Sequence, residues 1–451
     1  MRLVLDVQSL QSDSRLRGIG RYTRSVIAEL AAANPELEIT LLLNASYGDD
    51  PHKLLGELAT LSGGTSDTCN TSATVHGASD TALSNEGAFS GAAHAASTHV
   101  RIGDAVLECV QCYLPAPTGA HDPANRMRES LAELLREAFI KELEPDLVHV
   151  FSVMEGYADN VVTSIGRLPA DYPVTATFYD LIPLLNPEAY LHRNAAFARH
   201  YESKLESLRR ADGLLAISHF SGSEAVQHLE YPAEKISAAP LGPLSSDQHH
   251  RDASDASAES ILAALDLTPG YLLYVGGSDA RKNLPRLVEA WAALPGHLQV
   301  AHPLVLAGSM PEQDVMALGA IARTASACPE NLRFLGQISD QTLTALYDAC
   351  RAFVFPSWHE GFGLPALEAM AAGAAVIAAD ASSLPEVVDL PEALFDPHDV
   401  TDIAAHLERV LTDDAFRQRL RAHGPQQAAK FSWQRTAQDT LNFFARAVDA
   451  A

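Results

Sequence analysis

The chain has 451 residues, of which 47 % are hydrophobic, and it carries a formal net charge of −25 at pH 7. That length and apolar content are sufficient for two domains, each with its own core. The negative charge argues against nucleic acid as a partner, because phosphate backbones are bound by clustered Lys and Arg. No run of about 18 apolar residues is present and the chain begins as a strand rather than as a signal peptide, so we expect a cytoplasmic protein.

Short apolar runs alternate with helical patterns through the first half of the chain, which is typical of parallel βαβ units. Strands are predicted at 3–7, 38–43, 147–151, 174–178 and 213–217. A glycine-containing loop follows the first strand and precedes a helix predicted at 22–33. Ser218 is placed to cap the helix that follows the fifth strand.

Two polar segments interrupt this pattern. Residues 62–105 offer too little apolar surface to offset the entropy of ordering, which predicts a flexible insertion. Residues 243–258 are rich in Ser, Asp and His, which predicts a linker. The predicted domains are therefore 1–242 and 259–430, followed by a last helix within 431–451.

The second half repeats the alternation of strand and helix. Its strands are predicted at 271–275, 304–307, 332–335, 352–355 and 375–378. The fold class is thus α/β, with two doubly wound parallel sheets. Ligands of such sheets bind beyond the carboxyl ends of the strands, and the motifs below lie there.

The first of these motifs, Tyr-Val-Gly-Gly-Ser-Asp-Ala-Arg-Lys-Asn, follows the strand at 271–275. The turn at Gly277 lets the backbone approach a ligand, and Arg281 and Lys282 supply charge to hold a diphosphate leaving group. The alternative is a solvated cationic pair at a helix start, where positive charge opposes the helix dipole.

The second motif, Glu-Gly-Phe-Gly-Leu-Pro, follows the strand at 352–355 and opens a helix. Glu360 lies just before the turn and Glu368 about one helical turn inside the helix, so the two carboxylates can accept hydrogen bonds from hydroxyls of two sugars. The N–H groups of Phe362, Gly363 and Leu364 are expected to point along the helix dipole at a bound phosphate. The alternative is an ordinary strand–loop–helix with a solvated Glu.

With Glu-Ala-Met-Ala-x-Gly and Ser-Leu-Pro-Glu in register behind it, this segment resembles the Glu-x7-Glu signature of retaining glycosyltransferases of family 4. The resemblance implies the GT-B fold, in which two Rossmann-like domains face each other across a cleft and the last helix returns to the first domain. It also implies that Glu360 contacts the transferred sugar and that Glu368 contacts the nucleotide ribose. Many members carry Arg at the position of Gly277, so the role of that Arg would fall to Arg281 in this chain.

The same resemblance extends to the first half. The segment that contains Gly20 and Arg21 is similar to the loop that closes over the donor diphosphate or meets the acceptor, although a glycine turn opening a surface helix is the alternative. Thr-Phe-Tyr-Asp-Leu-Ile-Pro resembles the His-Asp-Leu-x-Pro element of polysaccharide mannosyltransferases. Asp180 in that element would orient the acceptor hydroxyl or stabilise positive charge, or it caps a turn. His149 lies on an apolar strand, which predicts a core histidine.

Two further patterns receive structural interpretations. The pair Cys109 and Cys112 has no second pair beside it, which favours buried thiols over a zinc or redox site. One helix concentrates positive charge and is interpreted as a solvated face, with contact to an anionic membrane as the alternative. Its cationic residues are Arg193, Arg199, His200, Lys204, Arg209 and Arg210.

The resemblance implies transfer of a hexose from a nucleoside diphosphate sugar to a glycan or lipid-linked glycan, with retention of anomeric configuration. The similarity to bacterial O-antigen and capsule mannosyltransferases suggests GDP-mannose as the donor. No cofactor or metal is expected, because the sequence lacks the Asp-x-Asp pair that holds a divalent ion in the other main transferase fold. An inverting transferase, a nucleotide-sugar epimerase on the same fold and a non-catalytic sugar-nucleotide-binding subunit remain alternatives.

Overall fold

A computed structural model describes residues 1–48, 54, 56–58, 98–102, 104–243, 257–326 and 328–451. Most of the predicted insertion and of the predicted linker therefore lies outside the described residues. The described part is built on two sheets, one on each side of the linker, and both are doubly wound as predicted.

The first sheet has eight strands in the described part, in the order β3-β4-β2-β1-β5-β6-β7-β8. All neighbours pair in parallel except β3 and β4, which are antiparallel. The strands are β1 (Arg2–Asp6), β2 (Glu38–Asn44), β3 (Thr98–Ile102), β4 (Ala105–Cys112), β5 (Leu147–Val150), β6 (Val174–Phe178), β7 (Gly213–Ala216) and β8 (Ile236–Ala238).

Helices cover this first sheet. They are α1 (Gly18–Ala33), α2 (Arg126–Glu142), α3 (Ile182–Leu185), α4 (Pro187–Tyr190), α5 (Ala195–Arg210) and α6 (His219–Leu229). The apolar stripe of α1 shows why it packs there: Tyr22, Val26, Ile27 and Leu30 follow the helical period and are fully buried. As predicted, the Ser218 side chain caps α6, by accepting a hydrogen bond from the N–H of Ser221.

The second sheet is parallel throughout its described strands, in the order β11-β10-β9-β12-β13-β14. The strands are β9 (Leu272–Val275), β10 (Leu304–Ala307), β11 (Leu332–Gly336), β12 (Ala352–Phe355), β13 (Val376–Ala379) and β14 (Leu394–Phe395). The strand order reverses between β9 and β12, so the loops after these two strands form the crevice in which such sheets bind ligands.

The helices of the second half follow the same alternation. They are α7 (Ala258–Ala264), α8 (Leu284–Ala292), α9 (Gly296–Ala301), α10 (Glu312–Ala325), α11 (Asp340–Ala349), α12 (Leu364–Ala371), α13 (Leu384–Val388), α14 (Val400–Thr412), α15 (Asp414–Ala428) and α16 (Trp433–Asp449). Strands β10 and β12 are buried at every position, as expected for a parallel sheet that is covered on both faces.

The last helix, α16, packs on the first half of the chain. Its Trp433 indole donates to the carbonyl of Pro243 at 3.0 Å, and the Thr436 hydroxyl donates to the carbonyl of Pro240 at 2.5 Å. Phe444 is fully buried and its ring lies 5.0 Å from the ring of His149 on β5. This helix therefore ties the end of the chain to the first sheet.

Two local predictions in the first half are wrong. The sequence places residues 98–105 in the insertion, but Thr98–Ile102 forms β3, because it pairs with β4, whose Leu107 and Cys109 are buried. The sequence also places Gly20 and Arg21 in a loop, but both lie in the first turn of α1. A Cβ atom on Gly20 would lie 2.3 Å from the carbonyl oxygen of Arg15, so this glycine serves close packing.

The prediction of a solvated basic helix is only partly correct. On α5, His200 and Lys204 are buried, and the Lys204 ammonium donates to the carbonyl of Thr163 at 2.5 Å. Arg209 and Arg210 are exposed but lie beside Glu206. The cationic face is therefore smaller than the sequence suggests, because two of its six residues are buried and two more lie beside an acidic residue.

His149 is a core residue, as predicted. Its ring is fully buried between the hydroxyls of Thr175 and Thr177, each 2.9 Å from a ring nitrogen, and burial lowers its pKa to about 3. Cys109 and Cys112 are buried free thiols, and burial raises the pKa of each to about 12. These results confirm the structural interpretation of both patterns.

Candidate active site

A carboxylate and two cations meet at the crevice of the second sheet. Arg281 and Lys282 lie on a 3-10 turn after β9, and Glu360 lies on the loop after β12. The Lys282 ammonium is 2.5 Å from one carboxylate oxygen of Glu360, and the Arg281 guanidinium is 2.7 Å from the other. The structure therefore brings together three residues that the sequence predicts as catalytic, 78 positions apart in the case of Lys282 and Glu360.

This cluster is not a solvated surface pair. The side chains of Lys282 and Glu360 are 13 % and 10 % exposed, and the ammonium lies 5.1 Å from the centre of the Phe355 ring. Burial alone would raise the pKa of Glu360, but Lys282 and Arg281 outweigh burial and hold this pKa below its ordinary value. Glu360 is therefore a carboxylate at neutral pH, and it keeps the cations in place.

The loop that carries Glu360 is held from several sides. The Ser383 hydroxyl is within hydrogen-bond distance of the carbonyls of Glu360 and Phe362, at 2.9 and 2.7 Å, and the Ser382 hydroxyl accepts from the Glu360 N–H at 2.9 Å. The buried Asn283 side chain donates to the carbonyls of Pro356 and Pro397. These bonds fix the position of the Glu360 carboxylate.

Helix α12 begins at Leu364 behind this loop. Gly363 adopts a φ of 106°, which favours glycine, and no side chain of the described residues caps the helix. The anion site predicted at the N–H groups of this end stays a prediction. The side chain of Phe362 is buried with its ring 5.8 Å from the ring of Phe431, so this side chain belongs to the core.

Glu368 lies inside α12 and is buried, and it contacts the first half of the chain through Arg21. The same guanidinium lies 3.4 Å from Asp340, and the Tyr347 hydroxyl lies 3.5 Å from the second oxygen of Glu368. Burial raises the pKa of Glu368 to about 7, although Arg21 acts in the opposite direction. Two residues that the resemblance assigns to the donor thus pair with each other.

The glycine turn after β9 leaves room beside the cations. A Cβ atom on Gly308 would lie 2.1 Å from the carbonyl oxygen of Gly276, which explains the close approach of these two loops. A Cβ atom on Gly277 would instead make an ordinary contact, 3.7 Å from the carbonyl oxygen of Ser309. A side chain at the position of Gly277 would therefore meet no clash at its Cβ atom.

Asp180 reaches the crevice from the first half. One of its carboxylate oxygens accepts the N–H of Ile182 at 3.0 Å, which is the turn-capping contact predicted as an alternative. Burial raises its pKa, although Arg281 and His359 across the cleft lower it. The structure thus supports a cap and also places this carboxylate near the cations of the candidate site.

Sequence reasoning missed the contacts that join the two halves beside Glu360, although Gly361 and Glu386 belong to motifs that it singled out. His359 lies 2.9 Å from Glu224 on α6, and the Glu386 carboxylate accepts two N–H groups from the start of that helix. Gly361 lies close to the first half, since an added Cβ atom would lie 2.6 Å from the carbonyl oxygen of Tyr179. These contacts join residues far apart in the chain, so no local motif announces them.

The described residues contain neither a membrane-spanning helix nor a cluster of metal-binding side chains. None of the helices in the described ranges is long and apolar enough to cross a membrane. Within the same part of the chain, no group of three or more His, Cys, Asp or Glu side chains is arranged to hold a metal ion.

Comparison with known proteins decides the family. Residues 261–427 match the family described as "Glycosyl transferases group 1", and residues 98–242 match the family described as "Glycosyltransferase Family 4". The "O-antigen chain mannosyltransferase B" of Escherichia coli is 37 % identical over 270 residues, which covers 59 % of this chain and 69 % of that protein. The chain belongs to glycosyltransferase family 4.

This glycosyltransferase is also similar along its whole length to a longer protein. The "Serotype-specific mannosyltransferase WbdA" of E. coli is 33 % identical over 454 residues, which covers 100 % of this chain but 49 % of that protein. The chain thus spans about half or less of the length of the WbdA proteins that it matches.

Solved structures show that the glycosyltransferase has the GT-B fold. Sucrose-phosphate synthase from Thermosynechococcus elongatus superposes with a TM-score of 0.64 at 19 % identity, over 100 % of both chains. HepE from Anabaena, solved in complex with UDP-glucose, gives a TM-score of 0.61 at 15 % identity, also over 100 % of both chains. At these identities the likeness concerns the fold alone.

Proposed function

We propose that this glycosyltransferase transfers mannose from GDP-mannose, with retention of anomeric configuration, to a hydroxyl of a glycan or lipid-linked glycan in bacterial surface polysaccharide synthesis. The observation that carries the proposal is the contact of Glu360 with Arg281 and Lys282 at the crevice of the second sheet. The named activity of the E. coli relatives supports mannose as the sugar, and their link to O-antigen supports the acceptor class.

The two cations suit the charge that develops in this reaction. As the bond to the sugar breaks, the diphosphate gains negative charge and the sugar gains oxocarbenium character. In this proposal Arg281, Lys282 and the N–H groups at the start of α12 stabilise the diphosphate, which is supported by the contacts of the two cations with Glu360 and by the uncapped start of α12. We further propose that no metal ion is required, because these groups supply the positive charge.

Glu360 has a positioning role in this proposal. The acceptor oxygen attacks the same face of the sugar that the phosphate leaves, and the departing phosphate takes the acceptor proton, so no protein nucleophile is needed. Glu360 would accept hydrogen bonds from sugar hydroxyls, for which an ionised carboxylate is well suited. Glu368 would accept them from the ribose once Arg21 moves toward the diphosphate.

The experiment that tests the proposal is nucleotide release from a panel of GDP-, UDP-, ADP- and dTDP-sugars, with mixed glycolipid acceptors and with or without chelator. We expect turnover of GDP-mannose alone, unaffected by chelator, and a loss of about 100-fold or more in Glu360→Ala. Glu259→Gln, which changes an exposed carboxylate on α7, is the matched control and should keep wild-type rates. Binding of GDP-mannose without turnover would favour a regulatory subunit, and loss of turnover in chelator would refute metal independence.

A further inference from the structure

The start of helix α6, in the first half of the chain, rests on the loop that carries Glu360. The hydroxyls of Ser218 and Ser221 both donate to the carbonyl of Gly361, at 2.7 and 2.9 Å, and both serines are fully buried. Ser221 also lies 2.8 Å from the carbonyl of Tyr179, whose oxygen approaches Gly361. The peptide next to Glu360 is thus held by the opposite half of the protein.

The carboxylate of Glu386 makes the reverse contact, from the second half to α6. Its two oxygens accept the N–H groups of His219 and Phe220, at 3.1 and 3.2 Å. These N–H groups belong to the first turn of α6, where a carboxylate is favoured by the helix dipole. Glu386 follows closely on Ser383, whose hydroxyl bonds the carbonyl of Glu360.

The third contact joins Glu224 of α6 to His359, the residue before Glu360. Nε2 of His359 lies 2.9 Å from one carboxylate oxygen of Glu224, an ion-pair distance, although the two atoms are not aligned as a hydrogen bond. Both residues are buried, at 4 % and 7 % exposure. The carbonyl of His359 accepts from Arg281 at 3.0 Å, so this residue connects α6 to the cations.

All of these contacts join the first half of the chain to the second. They bury a carboxylate and a helix end, which is favourable only if each polar group keeps its partners. Separation of the halves would release the Glu360 loop on the side that faces α6. Small displacements of a positioning group are costly in catalysis, because the reacting atoms must keep a near-attack geometry.

We propose that Glu224 and Glu386 are positioning residues, which hold the Glu360 loop in its working position when the start of α6 closes against it. The inference rests on the proposed function, since it assigns Glu360 to the donor sugar. It goes beyond that function, because the position of Glu360 in the second half then depends on contact with α6 of the first half.

The test uses Glu224→Ala, Glu386→Ala and the conservative Glu224→Gln and Glu386→Gln, with Gln434→Ala as the control. Gln434 makes an exposed hydrogen bond to Glu29, between α16 and α1, far along the chain from the loop. We expect kcat for GDP-mannose to fall about 10- to 100-fold in the alanine variants, with a smaller loss in the glutamine variants, which keep an oxygen in place. The Kd of GDP, measured by calorimetry, should stay within about twofold of wild type, because Arg281 and Lys282 are unchanged.

Hydrogen exchange of residues 356–363 provides a second measurement that does not depend on turnover. We expect faster exchange of this segment in both alanine variants than in wild type and in Gln434→Ala. Wild-type kcat and exchange in the alanine variants would overturn the inference, as would a loss of GDP affinity equal to the loss of kcat. If wild type itself gives no turnover, the proposed function fails, and hydrogen exchange alone then decides whether α6 holds the loop.

Discussion

Glu368 is buried beside the guanidinium of Arg21, and its protonation state responds to pH near neutrality. A raised pKa means that the folded chain binds the proton more tightly than the unfolded chain does. The protonated group therefore contributes its full stability below the ordinary glutamate pKa of 4.5, and this contribution is lost as the pH rises through about 7. The same change in charge strengthens the contact to Arg21.

We predict that Glu368→Gln removes this pH dependence. The thermal midpoint of wild type should fall relative to that of Glu368→Gln as the pH rises from about 5 to about 8, because only wild type then buries a charge. Differential scanning calorimetry of both proteins over this range checks the prediction. Equal slopes of the two midpoints with pH would show that Glu368 is already ionised in the folded chain at about pH 5.

Lys282 and Arg281 differ in how completely they are enclosed, and Lys282 is the more buried of the two. We predict that Lys282→Met lowers kcat about 100- to 1,000-fold, because a buried cation facing the leaving group is lost. The variant also leaves Glu360 with one cationic partner, so its pKa should rise. Steady-state kinetics across pH separates the two effects, and an unchanged kcat would remove Lys282 from the proposed mechanism.

The loop that carries Glu360 packs against the first half at Gly361. An alanine methyl group there would meet the Tyr179 carbonyl, which is backbone and cannot rotate away. We predict that Gly361→Ala lowers kcat about 10- to 100-fold, since overpacking of this kind costs about 1–3 kcal/mol and opens the closed state. Gly319→Ala on α10, where the nearest group is the flexible end of Arg323, serves as control and should keep wild-type kinetics.

Strand β5 provides a second test at this scale, through its buried histidine. We predict that His149→Ala destabilises the chain by about 2–4 kcal/mol, because it leaves a cavity and removes one hydrogen bond from each of two threonine hydroxyls. The expected result is a lower thermal midpoint with an unchanged kcat per folded molecule. A large loss of kcat at full folding would instead give His149 a role in the reaction.

Several strands in the interior of the two sheets could be predicted from the sequence. The bounds of β6, β10 and β12 match the predicted ranges. Strands β10 and β12 are continuous apolar runs, as expected for parallel strands covered on both faces, whereas β6 also contains Thr175 and Thr177. The sequence does not predict β3, β4, β8 and β14. Strands β3, β8 and β14 are short and lie at an edge of their sheets, where burial patterns are weak, and β4 is not buried at every position. Helix α1 begins earlier than predicted because the turn before it packs on Gly20.

The same distinction applies to the candidate site. Glu360, Glu368, Arg281 and Lys282 could be predicted because each belongs to a short motif after a strand. The contact between Glu224 and His359 could not be predicted, because the two residues lie in different halves of the chain and no local sequence pattern shows how the halves meet. For the same reason the sequence does not show that Arg21 pairs with Glu368.

At the scale of the whole molecule, the two sheets contribute different parts of one site. The second sheet supplies the cations and Glu360, and the first supplies Asp180, Arg21 and the start of α6. The chain is also about half as long as the WbdA protein that it matches over its whole length.

The most direct test of the central claim is the configuration of the product. Wild type is incubated with GDP-mannose and a mannoside acceptor, and the anomeric proton and carbon of the new linkage are observed by NMR. We predict an α-mannoside, formed in the presence of chelator and absent with Glu360→Ala. A β-mannoside would show an inverting transferase, and the absence of any new linkage with acceptors that E. coli O-antigen mannosyltransferases accept would contradict the assignment.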